Sequence, residues 1–267
     1  MTLAPIFVNT CGSLSRGYSD HCDPVIHSTG AAVSLVAGRG PFGSDRAGWF
    51  SAPVPDDLVY VEPHPRRVRA VRGGVTVIDT ERALMVHRNG RPLSYVFPAG
   101  ETADLPTELE PHAPGYVHVP WDAVDAWFEE GRRLVHYPPN PYHRVDCRPT
   151  DRGLRVSANG TVLVDTTDTT ILFETALAPR LYVRPALVRT ELLRQTSTTS
   201  YCNYKGTATY WAVHLDDGTV IEDVAWSYDE PLPESLPIKG FLSFDATRVD
   251  VLAELPVGDD GDCGCHA

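Results

Sequence analysis

The fold of this 267-residue chain is decided by two stretches, RAVRGGVTVIDT at residues 69–80 and RVSANGTVLVDT at residues 155–166. Each places Val- and Thr-rich segments on both sides of a two-residue turn, Gly73-Gly74 in the first and Asn159-Gly160 in the second. Such dipeptides accept the positive φ angles that tight β-hairpins require. Both stretches therefore predict a strand–turn–strand unit.

The likeness between the two stretches continues along the chain. Residues 95–99 (YVFPA) match residues 182–186 (YVRPA), and residues 115–125 match residues 240–250, both ending in Val-Asp. Between these matches the second half has about 38 more residues than the first. We predict an internal repeat with a reduced first copy and a complete second copy, and we expect any site to lie in the second.

The remaining pattern predicts a mainly β chain. Short Val-, Thr- and Tyr-rich runs are separated by turn signals, and 23 prolines disfavour long helices. One helix is predicted at residues 122–133, where Asp122 could cap the start and Val124, Trp127 and Phe128 form an apolar stripe. We expect two related compact antiparallel β domains with short helical connections. The predicted ranges are a mostly disordered extension at 1–55, a reduced β repeat at 56–130, a linker at 131–144, a complete β repeat at 145–256 and a loose acidic tail at 257–267.

Composition limits the classes of partner. The net charge of −12 argues against nucleic acid, because affinity for phosphates comes from clustered Lys and Arg. The absence of an apolar run of 18 residues predicts no membrane span, and no signal peptide is visible. A cytoplasmic location with reduced cysteines is the expectation. The excess of Arg over Lys suggests a GC-rich bacterial genome.

Two groups of cysteine and histidine lie near the chain ends. The N-terminal group fits no standard zinc spacing, and no metal is predicted there. The C-terminal group resembles a soft-metal clip that could bind metal weakly, but we expect an unstructured tail and predict no metal there either. The groups are Cys11, His21, Cys22 and His27 near the N-terminus, and Cys263, Cys265 and His266 in the tail.

The stretch TTSYCNYKGTATYW at residues 198–211 marks the candidate site. It contains one thiol, Cys202, one amine, Lys205, and four aromatic rings, in a chain with only two lysines. A lysine has a compact charged head and can lose its proton when desolvated, whereas arginine does neither. The glycine that follows, Gly206, would let backbone amides approach a ligand.

Further residues complete the predicted site. Glu174 ends an apolar run, and its half-buried carboxylate could pair with Lys205 or Arg184. Cys202, Lys205 and Glu174 are the candidates for a catalytic role. The predicted ligand-binding residues are Tyr182, Arg184, Tyr201, Tyr204, Gly206 and Trp226.

Several of these segments resemble the domain of unknown function 427 family. They include residues 173–175, residues 180–183, residues 199–211, residues 225–231 and residues 238–250, together with a junction at residues 141–146. The resemblance spans about residues 59–255. It implies a mainly β, tent-like fold, and the family has carried a nucleotidyltransferase label without an established reaction. The family usually has Pro where Asn203 stands, which predicts a less rigid loop here. Related zinc proteins use paired Cys-x-x-Cys motifs; this chain has none, so no structural zinc is expected.

Two functions stay open at this point. One is binding of a small molecule or nucleotide around Cys202 and Lys205, with or without catalysis. The other is a non-catalytic protein-interaction module that presents an aromatic loop. Redox sensing through Cys202 is a weaker third hypothesis, because no second thiol lies at motif spacing.

The chemistry of Cys202 has two predicted forms. A nearby cationic Lys205 would favour the thiolate and rapid alkylation. Packing beneath Tyr201 and Trp211 would instead make the thiol inert until unfolding, and we expect this state because cysteine is commonly buried.

Overall fold

The computed structural model describes residues 49–55, 57–88 and 91–256, and within them the chain is built from short antiparallel strands. The first half contains β1 (Val59–Pro63), β2 (Val68–Arg72), β3 (Val75–Thr80), β4 (Leu84–Arg88), β5 (Arg91–Pro98), β6 (Glu108–Leu109), β7 (Tyr116–His118), β8 (Ala126–Glu129) and β9 (Arg132–Leu134). The second half contains β10 (Val145–Thr150), β11 (Leu154–Ala158), β12 (Thr161–Thr166), β13 (Thr169–Glu174), β14 (Arg180–Tyr182), β15 (Leu193–Cys202), β16 (Gly206–His214), β17 (Val220–Ser227), β18 (Leu242–Phe244) and β19 (Asp250–Ala253). Short 3₁₀ helices connect them at Ala99–Glu101, Trp121–Ala123, Pro185–Leu187, Thr190–Leu192 and Pro233–Ile238.

The strands of the first half form two sheets. One has the order β1-β4-β5-β7-β6 and the other the order β3-β2-β8-β9. Their shared core contains Phe97 and Trp127, both almost fully buried. The alternating apolar residues of β2 and β5 supply this core, as the period of a half-buried strand requires.

The strands of the second half form three sheets, with the orders β10-β13-β14, β12-β11-β19 and β15-β16-β17-β18. The first and third are joined by Val183 and Leu242, which exchange two backbone hydrogen bonds of 2.9 Å. The main core lies beneath them and includes Val156, Val213 and Val224. The mainly β fold class and its short helical connections are therefore confirmed.

The two hairpins at residues 69–80 and 155–166 form as predicted. Strand β2 pairs with β3, and β11 pairs with β12. Gly73, Gly74, Asn159 and Gly160 all have positive φ, between 46° and 81°. Each pairing contains one register shift, after Ala70 in the first hairpin and after Val156 in the second.

The predicted helix at residues 122–133 is wrong. A 3₁₀ turn covers Trp121–Ala123, and the rest forms β8 and β9. Strand β8 pairs with the free edge of β2, opposite Ala70, and buries the Trp127 ring against Phe97 at 5.6 Å between centroids. Sheet pairing and burial of one face thus override the helical spacing of the apolar residues.

The ten-residue strand β15 was not predicted. Its sequence is rich in Thr and Ser, and from Gln195 to Ser200 exposed positions alternate with partly buried ones that carry Thr or Ser rather than apolar side chains. It lies at the edge of its sheet and pairs only with β16 among the described strands, so no apolar face is required of it. The edge strands β1, β6, β10 and β19 were missed as well.

Some predictions concern residues outside the described part of the chain. The metal-binding question at residues 11–27, the predicted disorder up to residue 48 and the tail at residues 257–267 all fall there. Residues 49–55, at the end of the predicted extension, contain no strand or helix. Within the predicted linker, residues 132–134 form β9, and residues 135–144 are irregular and pack against the second half.

No helix among the described residues has the length and apolar character needed to cross a membrane.

Candidate ligand-binding site

The hairpin of β15 and β16 carries the candidate site at its tip. Cys202 pairs with Gly206, and Asn203, Tyr204 and Lys205 form the turn between them. The carbonyl of Lys205 accepts a hydrogen bond of 3.0 Å from the backbone of Leu232. The tip is therefore hydrogen-bonded to the segment that follows β17.

Gly206 has a structural reason to be glycine. Its φ is +100°, and a side chain there would place Cβ 3.2 Å from the carbonyl oxygen of Glu230. The glycine was predicted to let backbone amides approach a ligand; the close approach in the structure is instead to the carbonyl of Glu230 in the same chain.

We predict that Gly206→Ala lowers the free energy of unfolding by about 2–4 kcal/mol, because backbone strain and the clash with Glu230 add together. Gly218→Ala is the matched control, since Gly218 has a φ of +86° but no atom within 4 Å of the position that an alanine methyl would take. Urea unfolding of both variants measures the difference. Equal losses in the two variants would mean that the contact with Glu230 is relieved without cost.

The charged centre of the site is Glu174, which Lys205 and His143 contact from two sides. Lys205 Nζ donates a short hydrogen bond to Oε2 of Glu174, and His143 Nε2 lies 3.0 Å from Oε1. The exposed fractions of the three side chains are 6% for Glu174, 13% for Lys205 and 2% for His143. Three polar groups from distant parts of the sequence thus converge in a nearly buried position.

This arrangement shifts the ionisation of both members of the ion pair. Burial is the largest influence on Glu174 and raises its pKa, but the charge of Lys205 and the hydrogen bond from His143 outweigh it and hold the pKa at about 2. Burial lowers the pKa of Lys205, yet the neighbouring oxygens of Tyr228 and Glu174 raise it well above its ordinary value. Both groups are charged at neutral pH.

The irregular segment 135–143 contacts the hairpin tip. The ring of Tyr204 stacks on His143 at 3.6 Å between centroids, and its hydroxyl accepts a 2.7 Å hydrogen bond from the backbone of Asn140. Asn203 Nδ2 donates to the carbonyls of Val135 and Tyr137 at 3.0 and 3.1 Å. Asn203 therefore attaches the hairpin tip to the segment 135–143. The absence of proline at this position had predicted a less rigid loop.

Two amide atoms in the same region are buried without a partner. Asn140 Nδ2 and Asn203 Oδ1 have no hydrogen-bond partner among the described residues, and the two residues are 3% and 2% exposed. A buried donor or acceptor left unpaired costs about 1–3 kcal/mol. Both residues adjoin Tyr204, Asn140 through a hydrogen bond and Asn203 in sequence, so the region offers one unpaired donor and one unpaired acceptor.

Most of the predicted aromatic residues lie in one small cluster beneath the charged centre. Tyr182 is fully buried, and its hydroxyl accepts a 3.1 Å hydrogen bond from Trp226 Nε1. The guanidinium of Arg180 lies 5.1 Å from the centre of the Trp226 ring. The cluster also contains Val145, Leu172, Tyr204, Ala208, Tyr210, Tyr228, Ile238 and Phe241.

Other predicted residues have partners of their own. Arg184 forms an ion pair with Asp168, and both side chains are more than half exposed. The hydroxyl of Tyr201 accepts a 3.2 Å hydrogen bond from Arg132 Nη2. Lys205 and Arg184 were the two predicted partners of Glu174, and Glu174 pairs with Lys205. Trp211 packs against the main core of the second half.

The two cysteines that the structure describes are both half-buried and both unpaired in disulfides. Cys202 Sγ accepts a hydrogen bond of 3.4 Å from the backbone of Tyr204. Cys147 lies on β10; burial, followed by the charge of Asp146, raises the pKa of its thiol to about 11. The reactivity of Cys202 stays a prediction.

We predict that iodoacetamide at pH 7 alkylates Cys147 about 100-fold more slowly in the native protein than in the unfolded chain. The thiolate is the reactive form, and the raised pKa of Cys147 lowers the thiolate fraction by about that factor. Peptide mass spectrometry separates this residue from Cys202 in one experiment. Rapid native labelling at Cys202, slowed by Lys205→Ala, would support a reactive thiol there. Equal native and unfolded rates at Cys147 would contradict the burial of its sulfur.

The first half contains a second buried carboxylate that the sequence analysis did not find. Glu129 accepts a hydrogen bond of 2.7 Å from the hydroxyl of Tyr95 and a short one from Arg66, and His64 Nε2 lies 3.2 Å away. Burial raises the pKa of Glu129, but these three partners outweigh it and hold the pKa at about 2. Burial is the main cause that raises the pKa of Tyr204, and the charge of Glu129 adds to it, which couples the two clusters electrostatically.

His143 was missed as a site residue although a signal for it existed. Strands β10 and β13 are antiparallel, with Val145 opposite Glu174. The residue two positions before Val145 must therefore lie near the end of β13. A prediction of β10 would have placed His143 beside Glu174, but β10 was not predicted from the sequence.

One family model matches part of the chain. Residues 146–254 match a family model described as domain of unknown function (DUF427). The chain is similar to that family over this range, which contains Glu174, Cys202 and Lys205 but not His143. No curated protein matches the chain.

Proposed function

We propose that this protein binds a small polar molecule at the cluster of Lys205, Glu174 and His143. The observation that carries the proposal is the buried ion pair itself. Replacing such a pair by apolar residues of similar volume is often neutral or stabilising. Stability alone is therefore a weak reason for this chain to bury an ion pair with a histidine beside it. Buried ionisable groups with shifted pKa values are enriched at functional sites.

The unpaired amide atoms support a particular kind of ligand. Asn140 Nδ2 calls for an acceptor and Asn203 Oδ1 for a donor, and Lys205 has ammonium hydrogens beyond the one given to Glu174. A molecule that offers both an acceptor and a donor matches the needs of these two amides. The edge of a nucleobase has this character, and a nucleoside or nucleotide is the ligand class that we favour.

A thermal-shift panel of nucleobases, nucleosides and nucleotides tests the proposal. A ligand present at 100 times its Kd should stabilise the protein by about 2.7 kcal/mol. Lys205→Met should abolish the shift measured from its own Tm, whereas Lys239→Met, which changes the only other lysine and an exposed one, should leave it intact. A panel without any stabilising compound, or equal shifts in the two variants, would refute the proposal.

A protein-interaction role is the second candidate, and exposed apolar side chains favour it. Phe173, next to Glu174, is 39% exposed, and Leu177 and Tyr142 are 43% and 50% exposed. Phe173→Ser and Leu177→Ser separate the two roles. Neither substitution should change ligand-induced thermal shifts if the small-molecule site is the functional one.

The repeat that we infer from the sequence belongs to the same proposal. The orders β1-β4-β5 and β10-β13-β14 correspond, as do β3-β2-β8 and β12-β11-β19. The matching register shifts after Ala70 and Val156 are further support. In this comparison Glu174 of the second half corresponds to Arg88 of the first. Glu174 pairs with Val145, the first residue of β10, and Arg88 pairs with Val59, the first residue of β1. The first half would then have kept its sheets and lost the Lys205 hairpin.

A further inference from the structure

A cavity of about 630 Å³ lies in the first half, on the side of β5 and β7 that faces residues 136–138. This volume is in the range of pockets that hold small organic ligands. The cavity contains neither Lys205 nor Glu174 in its walls. Its walls include the rings of Tyr95, Trp121 and Trp127 and the side chains of Arg88, Arg91 and His118.

Three aromatic rings form a stack that ends at this cavity. Phe97 stacks on Trp127 at 5.6 Å with an interplanar angle of 12°, and Trp127 stacks on Trp121 at 5.3 Å with an angle of 21°. Phe97 and Trp127 are buried, whereas Trp121 is only partly buried and lines the cavity. A planar ring from a ligand can extend this stack at Trp121, and offset-stacked aromatic pairs are favourable beyond the area that they bury.

The polar groups of the cavity favour an anion beside that ring. Arg88 donates a short hydrogen bond to Glu110 and contacts Ser94 Oγ at 3.5 Å, which leaves donors of its planar five-donor group for another acceptor. Glu110 also accepts two hydrogen bonds of 3.1 Å from His112, so its oxygens are occupied.

The remaining charged and titratable groups of the wall agree with this preference. Arg91 is exposed at the mouth of the cavity. Glu108 also lies there but is exposed, so water and salt weaken its repulsion of an anion. Burial lowers the pKa of His118, which leaves a neutral imidazole at pH 7.

One residue of the cavity wall has a strained backbone. His136 has a φ of +69°, a conformation that is rare and costly for a non-glycine residue and that clusters at ligand sites. The next residue, Tyr137, is held by Asn203 through its carbonyl. The wall is thus fixed in place by the hairpin of the second half.

We propose that this cavity binds a planar aromatic ring that carries one carboxylate or phosphate group. The ring stacks on Trp121, and the anionic group accepts hydrogen bonds from Arg88 and Arg91. This site is separate from the one at Lys205, and neither proposal depends on the other.

Isothermal titration calorimetry of the full chain with 2-naphthoate and 2-naphthyl phosphate tests the proposal, and 2-naphthylmethanol is the neutral probe of matched shape. At least one anion should bind about tenfold more tightly than the alcohol, since a charge-assisted hydrogen bond that survives partial exposure is worth about 1.4 kcal/mol. The two anions distinguish a carboxylate ligand from a phosphate ligand. Absence of binding by both anions, or equal binding of the alcohol, would overturn the proposal.

Variants locate the probe within the chain. Arg91→Gln should remove the preference for the anion, and Trp121→Leu should weaken all three probes by about tenfold. Arg133→Gln, an exposed arginine outside the cavity, should change neither. If Trp121→Leu fails to fold, Arg91→Gln decides. Loss of probe binding in Lys205→Met with full binding in Arg91→Gln would place the probe at the other site and refute this one.

Discussion

Replacing Lys205 with methionine should lower the free energy of unfolding by about 3–5 kcal/mol, because the substitution leaves the carboxylate of Glu174 buried without its cation. His143 alone would then stabilise the charge, at 3.0 Å from Oε1. Urea unfolding at pH 7, with the slope m checked for constancy, measures this loss.

The chain provides a matched control for this substitution. Lys239 is the only other lysine and is exposed, so Lys239→Met should change stability by less than about 0.5 kcal/mol. The double variant Glu174→Gln with Lys205→Met removes both charges and should recover much of the loss, as apolar or neutral replacements of buried pairs do. A single Lys205→Met variant as stable as the parent would show that Glu174 is not desolvated as the structure has it.

Acid should destabilise the protein steeply between pH 4.5 and pH 2. Glu129 and Glu174 each have a folded-state pKa of about 2, below the ordinary value of 4.5. A lowered pKa contributes stability that is fully present above pH 4.5 and is lost as the pH falls through the folded-state pKa. Both shifts act in the same direction, so the loss of stability with falling pH is the sum of two contributions.

Unfolding curves at several pH values between 7 and 2 measure this dependence. Glu129→Gln and Glu174→Gln should each flatten the pH profile by about half, while lowering stability at pH 7. The exposed pair of Arg155 and Asp165 provides the comparison, because Asp165→Asn should leave the profile nearly unchanged. A profile equally steep in both glutamine variants would assign the acid sensitivity to other carboxylates.

The hairpins at Gly73-Gly74 and Asn159-Gly160 could be predicted from the sequence because turn chemistry is local. Two residues with positive φ fix the turn, and the period of the flanking residues fixes the strands. The helix at residues 122–133 was wrong because its decisive partner, the free edge of β2, lies more than 50 residues away in the chain. The edge strand β15 escaped prediction for a related reason, since a strand with little buried surface needs no apolar pattern.

The sequence by itself determined that the chain is mainly β, where its tightest turns lie and that Lys205 and Glu174 belong to a region of interest. These features depend on propensity, period and residue type within a few neighbouring positions. Only the tertiary structure placed His143 against Glu174, attached Asn203 to Val135 and Tyr137, and brought Tyr95, Trp121 and Trp127 around one cavity. Pairings of this kind depend on the register of strands that are distant in sequence and on which groups are desolvated together, and no local pattern encodes either.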